Sequence, residues 1–283
     1  MTKLQIKHSD GKWKKLIKAM ILRFFDHNVS RVGGQLAFFI LLSLFPFLVF
    51  LNALIGSLNM SYDQLMTLLS PIFPEQIVEL IIGYVRQVSQ GQSIGLLSIA
   101  VVVVIFSASK AVRSLAFSVN TAYDIKENKH PVRNFFYSML YVIAAGIVAV
   151  IIILFITLSE EFLLEIIKIT HISEFVITLL GICRWAALVA ILFFVLALMY
   201  KITPDKKVAF RHILPGTVLA TLGMLFLTYG FSAYVNYFAK SSVLSGTIGA
   251  VILLMLWVYF ASVIIILGAE LNCAIEEISR KVE

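Results

Sequence analysis

Long apolar runs alternate with short polar and basic segments along the whole chain. A helix crosses the hydrocarbon core of a bilayer in about 20 residues, and six runs reach that length. They lie at residues 36–58, 94–118, 136–158, 177–199, 213–236 and 247–271. The pattern predicts an all-α, polytopic membrane protein with six transmembrane helices, in which residues 35–272 form the membrane domain.

The polar segments between the runs are unequally charged. Of the 23 Lys and Arg residues, 17 fall in the N-terminal segment, in alternate loops and at the C-terminus. The opposite side has only Arg86, Lys168 and Lys240. Cytoplasmic flanks carry the excess of Lys and Arg. The sequence therefore predicts that both termini are cytoplasmic, with residues 1–34 as a basic N-terminal segment and 273–283 as a C-terminal tail.

Two stretches outside the runs also have helical patterns. Residues 12–27 place apolar side chains at helical spacing, with most of the lysines elsewhere. This predicts a basic amphipathic helix, which either lies on the cytoplasmic leaflet or packs under the bundle. In the 59–93 loop, Ser61 can cap one short helix, and Pro74 with Glu75 can begin another. This loop is predicted to form a small extracytoplasmic cap.

The composition supports a membrane protein and excludes several other classes. The chain has 283 residues, of which 60% are hydrophobic and only 14% are charged, against about 25% charged in soluble proteins. The net charge of +7 follows from the cytoplasmic flanks, so no nucleic-acid partner is predicted. Cys183 and Cys273 make neither a disulfide framework nor a metal pair. No nucleotide, metalloprotease or esterase motif is present, and we predict no enzyme activity, metal or cofactor.

Ionisable and polar residues inside the spans are the candidate functional residues, because a charge at the bilayer centre costs several kcal/mol unless it is paired or hydrated. Arg184 lies a few residues outward of the middle of the fourth span, and Asn52 and Tyr229 fall near the same depth. These three residues are predicted to line an outward-facing cavity or to bind an anionic group. The alternative is a structural arginine whose donors are satisfied by helix carbonyls.

A second polar group is predicted near the cytoplasmic face. Ser107, Lys110 and Arg113 lie on one side of the second span, and the sixth span brings Glu270 and Asn272 to a similar depth. Arg113 and Glu270 differ in depth by roughly 6 Å, which predicts an ion pair. The alternative is that Lys110 and Arg113 extend to the inner headgroups.

Pro46 lies in the middle of the first span. A proline inside a helix leaves the carbonyl four residues earlier, here that of Leu42, without its usual donor and can kink the helix. The hydroxyl of Ser43 is a candidate to satisfy the local backbone.

Short stretches in several spans resemble the YihY/BrkB family of bacterial inner-membrane proteins. They are Gln35-Leu-Ala-Phe-Phe, Leu41-Leu-Ser-Leu-Phe-Pro46, Ser107-Ala-Ser-Lys-Ala, Asn120-Thr-Ala-Tyr123, Leu214-Pro-Gly216, Gly246-Thr-Ile-Gly-Ala250, Trp257-Val-Tyr259 and Leu267-Gly-Ala-Glu-Leu-Asn272. Their order and spacing together are specific to this family. The resemblance extends over about residues 15–276.

The resemblance implies six spans in the bacterial cytoplasmic membrane. Family members have been connected with envelope lipid handling and with solute or ion export, and an older ribonuclease label is regarded as a misassignment. We therefore predict a transporter-like protein, not driven by ATP, that moves a lipid, an amphiphile or a small solute or ion. A non-transporting envelope scaffold or assembly factor is the alternative, and a membrane-bound ribonuclease is the least favoured. The predicted partners are membrane lipids, an anionic lipid or solute cargo, and further copies of the chain.

Overall fold

The computed structural model describes residues 12–58, 62–70, 75–88, 94–125, 135–143, 146, 174–206, 208–238 and 247–280. Within these residues all regular structure is α-helical, and there is no strand. The helices are α1 (Lys12–Asp26), α2 (Val29–Leu58), α3 (Tyr62–Leu69), α4 (Glu75–Val88), α5 (Ile94–Ala122), α6 (135–143), α7 (Glu174–Ile202), α8 (Phe210–Phe238) and α9 (Thr247–Arg280).

Five helices in the described part of the chain are long and apolar enough to cross a membrane. Their candidate spans are Val29–Leu48, Val102–Ala122, Trp185–Ile202, Phe210–Val235 and Val251–Ser279. They overlap five of the six runs predicted from the sequence. The remaining run, 136–158, lies mostly outside the described residues, so the sixth span stays a prediction.

The long helix α9 is central to the bundle, because it packs against α1, α2, α4, α5 and α8. Helix α2 also packs against α5, and α7 packs against α8. The short helix α4 buries the apolar face expected from its sequence, including Ile77, Val78 and Ile81, against α2, α8 and α9. Helices α3 and α4 therefore join the bundle, and the extracytoplasmic position of the 59–93 loop stays a prediction.

Helix α9 extends beyond the end of the apolar run that predicts it. The run ends at residue 271, but the helix continues to Arg280, so the first eight residues of the expected tail, 273–280, are helical. Cys273 is 8% exposed and Glu276 only 5%. The extension forms because these residues pack against other parts of the protein, which hydropathy does not register.

Helix α2 continues through Pro46 to Leu58 as one element. The hydroxyl of Ser43 donates to the carbonyl oxygen of Ile40 at 2.8 Å. The hydroxyl therefore does not donate to the carbonyl oxygen of Leu42, which lacks its usual backbone donor because of Pro46.

Candidate functional site

A carboxylate without solvent exposure lies at the centre of the candidate site. Glu270 of α9 is 0% exposed, and each of its oxygens has a basic partner. Its Oε2 is 3.1 Å from Nη1 of Arg23, and its Oε1 is 2.6 Å from Nδ1 of His27. Burying an ion costs several kcal/mol unless its partners are close and well oriented. The two contacts from the α1 side meet that requirement.

Arg23 connects three parts of the fold. Its side chain is buried, and Nη1 donates to the carbonyl oxygen of Ala122 at 2.9 Å as well as to Glu270. Its Nη2 donates at 2.9 Å to Glu277, which lies two helical turns after Glu270 on α9. The guanidinium thus ties α1 to the end of α5 and to α9. We call Arg23, His27 and Glu270, together with the half-exposed Glu277 at their edge, the buried ion-pair cluster.

His27 completes the charge balance of the cluster. The hydrogen bond to Glu270 raises the pKa of His27 above its ordinary value of 6.5, against the opposing effect of burial. With His27 protonated, two positive groups face two carboxylates. The cluster is then electrically neutral, which reduces the cost of placing it at the edge of a membrane-spanning helix.

A pH dependence of stability follows from His27. The pKa is higher in the folded protein, so the stabilisation is complete below about pH 6.5 and is lost as the pH rises through the folded-state pKa. We expect His27→Gln to cost about 1–2 kcal/mol at pH 6 and progressively less at alkaline pH. Unfolding of the detergent-solubilised variant and wild type across pH 6–9 measures this. If the difference in unfolding free energy between wild type and variant stays constant with pH, His27 contributes packing alone.

A second set of polar contacts fixes the segment between α7 and α8. Lys206 lies 3.1 and 3.2 Å from the two carboxylate oxygens of Glu276 and 4.0 Å from the ring centroid of Tyr123. Asn120 and Asp205 exchange two hydrogen bonds, at 3.0 and 3.2 Å. The end of α5, the α7–α8 segment and α9 are therefore joined next to the buried ion-pair cluster.

Asn272 lies on a different side of α9 from Glu270, because residues two apart on a helix do not share a face. It is 0% exposed, and its Oδ1 accepts a hydrogen bond from the backbone N–H of Gly216 at 2.6 Å. Its Nδ2 has no hydrogen-bond partner within the described part of the structure. Asn272 therefore serves the contact between α8 and α9 and is not a member of the buried ion-pair cluster.

Within the described residues, Lys110 and Arg113 of the predicted inner polar cluster contact groups other than Glu270. Ser107 is 4% exposed. Lys110 lies over the ring of Phe106, 4.7 Å from its centroid. Nε of Arg113 donates to the carbonyl oxygen of Ser109 at 3.3 Å, and its guanidinium lies 5.2 Å from the ring centroid of Phe135. Glu270 is paired with Arg23 and His27 in place of the Arg113 that its depth suggested.

The structure describes only part of the predicted group of Arg184, Asn52 and Tyr229. The side chains of Arg184 and Asn52 lie outside the described residues, and Tyr229 is 70% exposed. The hypothesis that these three residues hold an anionic group therefore stays a prediction. Among the residues that the structure describes, no group of three His, Cys, Asp or Glu side chains could hold a metal ion.

Arg23 and His27 are the functional candidates that sequence reasoning missed, since both precede the first span and read as part of a basic flank. One signal was available. Arg23 lies near the end of α1 and His27 directly after it, four residues further on, and Glu270 and Glu277 are seven apart on one face of α9. Two basic groups one turn apart and two acidic groups two turns apart can therefore face each other across neighbouring segments.

The fold and the site together define a helical, multi-span membrane protein with ionisable side chains buried between its helices. The chain belongs to the family described as Virulence factor BrkB, whose family model matches residues 20–283. This agrees with the resemblance seen in the sequence motifs. No solved structure shows a significant match to the chain.

Curated relatives match along most of the chain. The ribonuclease-like protein YfkH of Bacillus subtilis is 32% identical over 265 residues, which cover 92% of this chain and 95% of YfkH. A UPF0761 membrane protein of Alteromonas mediterranea is 24% identical over 275 residues, covering 93% of this chain and 88% of that protein. A UPF0761 membrane protein of Haemophilus influenzae is 22% identical over 274 residues, covering 92% and 95%.

Proposed function

We propose that this protein is a transporter of the bacterial cytoplasmic membrane that moves a lipid, an amphiphile or a small solute or ion, without ATP hydrolysis of its own. The observation that carries the proposal is the burial of Glu270, with Arg23 and His27, at the junction of α1, α5 and α9. Ionisable residues within membrane-spanning helices are rare and mark substrate or ion pathways by default.

The energetics of the cluster support a functional role over a purely structural one. Well-packed apolar side chains stabilise a helix contact as well as a buried ion pair does, and often better. The cluster contains an exchangeable proton on His27, whose bond to Glu270 joins two helices. A proton bound there changes how strongly α1 is held to α9, which is the kind of link that a gradient-driven transporter requires.

The charge asymmetry of the loops supports an orientation for this proposal. With the six spans that the sequence predicts, 17 of the 23 Lys and Arg residues fall on the side of both termini, and the positive-inside rule favours the cytoplasm for that side. The buried ion-pair cluster then faces the cytoplasmic surface. Arg184, Asn52 and Tyr229 would lie toward the opposite surface. There the guanidinium of Arg184 suits the phosphate or carboxylate of an anionic cargo.

An envelope scaffold is the second candidate, and the close packing of α8 on α9 favours it. At Gly216 and Gly268 the two helices approach so closely that their backbones meet. Such a contact gives a rigid pair of helices, which suits a protein that holds other components in place. The ribonuclease-like name of the Bacillus relative corresponds to the third hypothesis, a membrane-bound ribonuclease, which the sequence favours least.

Flux through proteoliposomes tests the proposal. The full-length protein would be reconstituted and assayed for movement of fluorescent phospholipids and of small anions, with and without an imposed pH gradient. We expect gradient-dependent movement of one cargo, and we expect Arg184→Gln to reduce it about tenfold or more, since a charge-assisted hydrogen bond contributes about 1.5–3 kcal/mol. Arg184→Lys should restore it only in part, because lysine lacks the planar fork.

Two comparisons make this experiment decisive. Trp185→Phe, at the neighbouring exposed position of α7, is the matched control and should leave the flux unchanged. Wild-type protein that moves neither phospholipids nor anions under any gradient would contradict transport of a lipid or an anionic cargo and favour the scaffold. Full flux in Arg184→Gln would retain transport but remove Arg184 from the cargo site.

A further inference from the structure

Helix α1 has two faces of different character. Ala19 and Arg23 are buried on the face that packs against the bundle. On the opposite face, Ile17, Ile21 and Phe25 follow one another at four-residue spacing and are 59%, 55% and 69% exposed. The sequence left open whether this helix packs under the bundle or lies on a leaflet. The structure shows a packed face and leaves a second, apolar face uncovered.

The position of α1 in the fold places this uncovered face next to the first candidate span. Only His27 and Asn28 separate α1 from α2, whose candidate span begins at Val29. Asn28 has a φ of 52°, in the left-handed region, which turns the chain sharply. The second anchor is Arg23, which ties α1 to the C-terminal part of α9. Held at both points, α1 lies beside the start of the α2 candidate span and the last turns of α9.

The charge on the uncovered face identifies its partner. Lys14 and Lys18 are exposed beside the apolar residues, and Lys15 is half-buried at the margin. Within the described part of the chain none of these three lysines is paired with a carboxylate. The single acidic residue of α1 is Asp26, at its last position. An exposed apolar stripe beside unpaired lysines suits the surface of a bilayer that contains anionic lipid.

We propose that the face of α1 formed by Lys14, Ile17, Lys18, Ile21 and Phe25 is a binding surface for anionic lipid headgroups. The apolar side chains enter the boundary between headgroups and acyl chains, and the two lysines contact lipid phosphates. The same helix holds Glu270 with its opposite face.

The test uses a fluorophore on the uncovered face of the full-length protein. Ile21→Cys, in a chain with Cys183→Ala, would carry the label, because Cys273 is buried. The protein is reconstituted into vesicles of phosphatidylcholine with phosphatidylglycerol. In separate samples, either the phosphatidylcholine or the phosphatidylglycerol carries a doxyl quencher near its headgroup. The ratio of the two quenching efficiencies gives the relative association constant of the two lipids at the label. We expect a clear preference for phosphatidylglycerol, and a loss of about fivefold for each lysine removed by Lys14→Gln and Lys18→Gln.

A label at Ser279→Cys, an exposed position in the last turn of α9, is the matched control and should show neither the preference nor the lysine effect. The lysine variants should keep the melting temperature of the wild type, since both side chains are exposed. If the label at residue 21 is quenched by a water-soluble quencher and by neither lipid, the proposal is overturned. Equal quenching by the two lipids would overturn it as well, as would protection from both lipids and water, which would show that another protein surface covers α1.

Discussion

Replacing Glu270 by alanine is expected to lower the free energy of unfolding by about 3–5 kcal/mol, which is the usual cost of leaving a buried charge without its partner. The variant keeps Arg23 between α1 and α9 but removes the carboxylate that accepts from Arg23 and from His27. The described structure offers the guanidinium only Glu277 and the carbonyl oxygen of Ala122 instead. Thermal unfolding in detergent at pH 7 measures the loss.

Glu277 provides a matched control on the same helix and with the same partner. Its side chain is 49% exposed and contacts Arg23 at 2.9 Å. Exposed ion pairs contribute about 0–1 kcal/mol, so Glu277→Ala should change the stability little. Equal effects of Glu270→Ala and Glu277→Ala would show that burial does not determine the strength of these contacts.

Glu270→Gln separates the charge from the shape of the side chain. Glutamine can still accept a hydrogen bond from Arg23 or from His27, but it cannot balance their charge. We expect a loss between those of the two alanine variants at pH 6, where His27 is protonated, and a smaller loss at alkaline pH. The pH dependence of the His27→Gln effect should disappear in the Glu270→Gln background, because the hydrogen bond to Glu270 is the main cause of the raised pKa of His27.

Replacing Gly216 by alanine is expected to prevent normal packing of α8 on α9. A Cβ at this position would overlap the carbonyl oxygen of Gly268 and the side chain of Asn272. Overpacking typically costs about 1–3 kcal/mol, and a clash with backbone lies at the upper end because no rotamer change relieves it. The shift would also displace the backbone N–H of Gly216 from Asn272, whose Oδ1 would lose its donor. Yield of monodisperse protein and thermal unfolding measure the effect.

Gly230 is the matched control, since it lies on the same helix and a Cβ there would meet no atom of the described residues within 4 Å. Gly230→Ala should keep the wild-type stability or raise it by up to about 1 kcal/mol, because alanine favours the helix. Gly268→Ala should behave like Gly216→Ala, since its Cβ would overlap the hydroxyl of Tyr200. That hydroxyl donates to the carbonyl oxygen of Ile265 at 2.7 Å. If the three alanine variants are equally stable, α8 and α9 do not need this close approach.

The positions of the helices could be predicted from the sequence because they depend on local information. An apolar run of about 20 residues has to satisfy its own backbone hydrogen bonds in lipid, and a helix does so without a partner. Five predicted spans overlap the five candidate spans for that reason. The start of α4 at Glu75 is local as well, since Pro74 and Glu75 mark a helix beginning.

The partner of Glu270 could not be predicted in the same way. Depth along a helix follows from counting residues at 1.5 Å each, and it placed Glu270 near the level of Arg113. Depth does not determine which neighbouring helix Glu270 faces. Arg23 and His27 are 247 and 243 residues away in the chain, and only the packing of α1 against α9 brings them within hydrogen-bond distance.

The sequence by itself therefore determined the class of this protein, the places where most of its helices run and the family to which its motifs point, because hydropathy, helical period and residue order are properties of the chain. Only the tertiary structure decided that Glu270 is buried with Arg23 and His27, that α9 continues past its apolar run, and that Gly216 meets Gly268. Each of these depends on contacts between distant segments, whose orientation about the helix axis no one-dimensional pattern specifies.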